Sequence, residues 1–174
     1  MADAGTLFPA PGAPTPENVA RAAQAQWAAT VTSGANWFYW IAGLSLVNSA
    51  LAFFGSDRRF VIGLGITEVV DYVAKEAGAA GGIIPLGMNV LIVGVFVLFG
   101  FQAGKRSKAA FLTGMIVYGL DGGLLLLAQD YLSVAFHGLA LFYIFKGFSA
   151  SNQLRAVESA SIAAGLSPGP LKPE

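Results

Sequence analysis

The chain of 174 residues has room for one domain, and it is 55% hydrophobic but only 11% charged, where a soluble domain carries about a quarter charged residues. Zero net charge and no cysteine exclude a basic nucleic-acid binder, a disulfide framework, a thiolate metal site and a cysteine nucleophile. A single histidine without cysteine also removes the common zinc patterns, and a mean hydropathy of +0.64 points to a lipid environment.

Residues 1–16 are rich in Ala, Gly and Pro and read as a disordered tail. No basic stretch precedes an apolar run here, so the start does not read as a signal peptide. Thr15 and Pro16 suit the N-cap and first position of a helix over residues 17–35. Val19, Ala23, Trp27 and Val31 fall on one face of it, which reads as an amphipathic juxtamembrane helix.

A transmembrane bundle is expected over residues 36–148. Asn36–Phe54 is its first span, with Trp37, Phe38, Tyr39 and Trp40 marking a membrane surface. Ser45, Asn48 and Ser49 suit interhelical hydrogen bonds, and Gly55–Arg59 forms the loop that follows. Phe60–Ala77 carries Glu68, Asp71 and Lys75 on one stripe with Leu64. It spans only if that stripe is buried in the bundle, because each mid-bilayer carboxylate costs about 2.5–3.5 kcal/mol.

After the glycine-rich turn 78–82, Ile83–Gly104 is an uncharged span with Asn89 and Gln102 as its polar residues. Lys105, Arg106 and Lys108 form the most basic loop. Two more spans follow, Ala109–Leu127 and Leu132–Phe145, joined by the turn Ala128–Tyr131, and each holds one ionisable residue, Asp121 and His137. So short a turn makes them antiparallel neighbours, with Asp121 roughly 13 Å and His137 roughly 10 Å from it by helical rise. Residues 149–174 read as a polar C-terminal helix and a frayed Pro-rich end.

Phe60, Gly63 and Asp71 are echoed by Phe111, Gly114 and Asp121 with a one-residue slip, a faint sign of a duplicated hairpin. The pairs Gly100/Gly104 and Gly119/Gly123 are GxxxG matches, read first as packing inside the bundle and second as dimer seams. Altogether the sequence predicts an all-α polytopic bundle of four to five spans with flanking short amphipathic helices. In the five-span form the loop Lys105–Lys108 and the C-terminus are cytoplasmic and the N-terminus lies outside.

The phrases FVIGLG, YGLDGGL and QDYLSVAFHGLALF resemble stretches of uncharacterised small multi-spanning bacterial membrane proteins, over about residues 36–148. The resemblance implies several spans in a bacterial inner membrane and carries no activity.

Intramembrane ionisable groups usually face the bundle interior. In the five-span form Asp71, Asn89, Asp121 and His137 fall within roughly 5 Å of one level, with Glu68 one turn deeper. Three readings follow. The first is a structural network in a small accessory or scaffold subunit, whose partners are the lipid bilayer and a second copy or another membrane protein, with no nucleic acid. The second is a proton-coupled small-solute carrier with Glu68, Asp71, Asn89, Asp121 and His137 lining its pathway. The third is a membrane metalloenzyme with Glu68, Asp121 and His137 as ligands. No catalytic constellation stands out and no cofactor is predicted. Ser133, four residues before His137, is the one serine placed for a hydrolase pairing.

Overall fold

The structure, a computed structural model, describes residues 14–54, 64–78 and 82–166. Five helices account for nearly all of them: α1 Pro16–Phe53, α2 Gly65–Glu76, α3 Ile83–Gly104, α4 Lys108–Leu127 and α5 Tyr131–Ala163. No strand occurs among the described residues. The expected tail 1–13, the loop Gly55–Arg59, the repeat residues Phe60 and Gly63, part of the glycine-rich turn and the last eight residues lie outside them.

Three helices, α3, α4 and α5, are long and apolar enough to cross a membrane. Local chemistry sets their ends. The Thr15 hydroxyl accepts from the Asn18 amide at the start of α1. Ser107 caps α4 by accepting from Ala110, and Asp130 caps α5 by accepting from Ser133. Each meets an N-terminal amide that the helix cannot satisfy itself. Gly78, at φ 72°, turns the chain at the end of α2, a conformation open to glycine at little cost.

Short turns make α3, α4 and α5 successively antiparallel, giving the bundle a basic end, at Lys105–Lys108, and a turn end, where α3 and α5 begin. The longest helices, α1 with 38 residues and α5 with 33, run antiparallel to each other. Gln24 donates to Ser161, Gly34 meets Gly147, and Trp37 stacks on Tyr143 with ring centroids 5.0 Å apart. At about 1.5 Å per residue both exceed the hydrocarbon thickness of about 30 Å. Their surplus lengths extend together past the basic loop, where Leu154, Ser151 and Ser161 are buried.

Several expectations change here. The boundaries at 35/36 and 148/149 fall inside continuous helices, because the α1–α5 seam continues through both. Phe38, expected at a membrane surface, is fully buried and packs on Phe96, Phe99 and Phe111. Of the GxxxG residues only Gly100 meets a neighbour, the Tyr39 ring; Gly104, Gly119 and Gly123 have open space beside them.

The largest correction concerns Phe60–Ala77. Its described helix, α2, has 12 residues, about 18 Å and too short to span. It starts beside Asp121, about two-thirds of the way along α4, and runs toward the turn end, where Asp71 meets Asn89 near the start of α3. Because α1 ends and α3 begins at the turn end, the N-terminal end of α1 and the C-terminal end of α5 lie together at the basic end. The five-span arrangement with the chain ends on opposite sides is therefore not formed.

Candidate functional site

The N-terminus of α2 sits among other helices, so its amides need partners from outside the helix. Every one of the first four is met. Leu64 N–H donates to Ser45 Oγ at 2.7 Å. Gly65 and Ile66 N–H donate to the two carboxylate oxygens of Asp121, both at 2.8 Å. Thr67 N–H donates to the Leu64 carbonyl at 3.2 Å. Asp121 thus caps α2 across the bundle, with its negative charge at the positive end of that helix.

His137 completes the site from α5. Its Nε2 lies 3.0 Å from Asp121 Oδ2 and its Nδ1 lies 2.9 Å from the Ser133 carbonyl. A carbonyl only accepts, so Nδ1 carries a proton and donates it. Oδ2 already accepts from Gly65, so one further proton lies between it and Nε2. The contact joins two groups whose side chains are only 4% and 2% exposed, so that each meets in the other a polar partner that burial would otherwise deny it. Tyr118, one turn before Asp121 on α4, stacks on the ring at 4.1 Å between centroids and 16° between planes.

The expected polar layer resolves into two separate pairs. Asp121 and His137 form one; Asn89 Nδ2 donating to Asp71 Oδ1 at 2.7 Å forms the other. On α2 the step from Ile66, which Asp121 holds, to Asp71 is about 8 Å of helical rise, because α2 runs along the bundle instead of crossing it at one level. Glu68 is half-buried on α2 between them. Among the described residues no group of three or more His, Asp or Glu side chains is placed to hold a metal, so Glu68, Asp121 and His137 do not assemble as ligands. Ser133 directs its hydroxyl to Asp130 Oδ2 at 2.8 Å, away from the histidine with which a hydrolase would pair it.

Sequence reasoning paired Asp121 with His137 and offered Ser45 for an interhelical hydrogen bond, as the structure has them, but it put Asp71 and Asn89 on the same level as that pair and missed the α2 amides and Tyr118. Ser45 and Asp121 carry no local signal for this role, since they meet α2 only through the fold. Among the described residues three buried side-chain atoms, Ser49 Oγ, Asn89 Oδ1 and Tyr118 OH, have no hydrogen-bond partner. Comparison with protein-family models, curated proteins and solved structures finds no match for this chain.

Proposed function

We propose that this is a small integral membrane protein acting as an accessory or scaffold subunit, which works through the shape it holds rather than through a reaction. The observation that carries this reading is the closure of the Asp121–His137 site. Both carboxylate oxygens and both ring nitrogens are committed to partners inside the chain, as a structural pin requires. The most costly polar groups in the bundle are spent on holding α2.

In this reading α3, α4, α5 and the second half of α1 cross the bilayer, and α2 lies among them toward the turn end without crossing it. Lys105, Arg106, Lys108, Lys146 and Arg155 gather at the basic end, which by the positive-inside rule faces the cytoplasm together with both helical ends of the chain. The bacterial inner membrane is the proposed location, and a second copy or another membrane subunit the proposed partner.

The test is native mass spectrometry of protein extracted in mild detergent, together with flux measurements on reconstituted liposomes. The scaffold reading expects a fixed stoichiometry and no pH-driven solute or proton flux above that of empty liposomes. A monomer without partner that shows flux abolished by His137→Ala overturns it in favour of a proton-coupled carrier using Asp71, Asp121 and His137.

A further inference from the structure

We propose that α1, α2 and α3 enclose a buried hydration site at the turn end of the bundle, bounded by Ser49, Asn89 and Thr67. It does not rest on the scaffold role. The starting point is the pair of partnerless atoms Ser49 Oγ and Asn89 Oδ1, on residues 2% and 0% exposed. A buried polar atom left unpaired costs about 1–3 kcal/mol, and native structures meet such atoms with protein groups or ordered water.

Helix register places the two at one level. Tyr39 of α1 lies against Gly100 of α3, and the helices run antiparallel. Ten residues on along α1 and ten back along α3, Ser49 comes opposite Val90, beside Asn89. Both also face α2. Ser49 is one turn beyond Ser45, whose hydroxyl receives the Leu64 amide, and Asn89 donates to Asp71. Between Leu64 and Asp71 on α2 stands Thr67, 0% exposed, whose hydroxyl donates to the Leu64 carbonyl and keeps its own acceptor capacity.

The chemistry of these groups suits water. Because Asn89 Nδ2 is held by the Asp71 carboxylate, its amide is fixed with Oδ1 as the free acceptor. Ser49 offers a hydroxyl proton, and Asn89 Oδ1 and Thr67 Oγ1 each take one. That is three partners, the usual number for a buried water. All three oxygens are neutral, so the site carries no charge of its own to recruit an ion. Half-buried Asp71 lies on its turn-end side, and the bonds at Leu64 and Ser45 close it toward the centre of the bundle.

Water-edited solid-state NMR of the intact protein in bilayers tests this. The side-chain amide of Asn89 is expected to gain polarisation from water at least about threefold faster than the buried Phe111 ring, as contact with an ordered water requires. Ser49→Ala, which removes one of the water's partners, is expected to slow that gain and lower Tm by about 3 °C. Equal rates at Asn89 and Phe111 overturn the proposal, as does a Ser49→Ala variant with raised Tm, which marks Ser49 Oγ as a dry orphan relieved by its removal.

Discussion

The two ends of the bundle are held by different physics. At the basic end Phe38 sits among Phe96, Phe99 and Phe111, with centroids 6.4, 6.0 and 6.2 Å away. There Gly34 and Gly147 let α1 and α5 touch backbone to backbone. Toward the turn end the interior is polar, built on Asp121, His137, Ser45 and the first amides of α2. Tyr118 marks the border, stacked on His137 and in a T-shaped contact with Phe96 at 6.0 Å. The difference follows from what each end must bury. Continuous helices satisfy their own backbone and need only shape at their seam. A helix that starts inside the bundle exposes four amides, and only side chains from its neighbours can meet them.

The sharpest way to break this comparison is to remove the carboxylate. Asp121→Ala leaves the Gly65 and Ile66 amides and one histidine nitrogen without partners in a buried site. Breaking one side of such a pair costs about 3–5 kcal/mol, so Tm is expected to fall by about 10 °C or more. Hydrogen exchange reads the location: the amides of Gly65 and Ile66 lose protection before those of the basic-end seam. Protection lost equally at both ends of the bundle would mean that the two regions do not behave as distinct units.

The complementary change strikes the aromatic end. A Cβ on Gly147 would stand 2.7 Å from Gly34 Cα and 3.1 Å from a Phe111 ring atom. The nearest obstacle is backbone, so the helices must part. Gly147→Ala is expected to cost about 1–3 kcal/mol, the range for overpacking, and to weaken the Trp37–Tyr143 stack, which tryptophan fluorescence reports. The same change at Gly119 or Gly123, where a Cβ meets open space, is expected to leave Tm unchanged or slightly higher. A fall there would show that the outward face of α4 is covered in the membrane.

How far the sequence reveals this division depends on the range of each interaction. The apolar runs of α3, α4 and α5 and the Asp121–His137 pairing across a short turn are local, and pattern and rise suffice for them. The buried face of α1 was available in principle: Gln24, Val31, Phe38 and Ser45 recur every seven residues and are all buried, the repeat of a helix packed along its length. The alanine-rich face from Val19 to Val31 shares only Val31 with that repeat, and Val19 is exposed. The course of α2 had no such signal. Its stripe of Glu68, Asp71 and Lys75 is compatible with a span or a surface helix, and what decides is the carboxylate of Asp121, 55 residues beyond Ile66. Nothing near α2 announces that cap.

The smallest expected effect separates the buried pair from its surface counterpart. Arg106 Nη1 lies 2.6 Å from Glu158 Oε1, joining the α3–α4 loop to the projecting part of α5, and Arg155 donates to the Arg106 carbonyl at 3.1 Å. These contacts resemble the Asp121–His137 pair in length but not in setting, since the side chains are 36% and 30% exposed. Water and salt already stabilise the separated charges, so Glu158→Gln is expected to cost only about 0.2–1 kcal/mol. That loss shrinks further as added salt screens the pair. Asp121→Ala keeps its full effect at any ionic strength, because its cost lies in unmet groups inside the bundle. Thermal unfolding of both variants at low and high salt checks this. If the Glu158→Gln effect persists undiminished at high salt, the loop contact is more deeply shielded than its exposure implies.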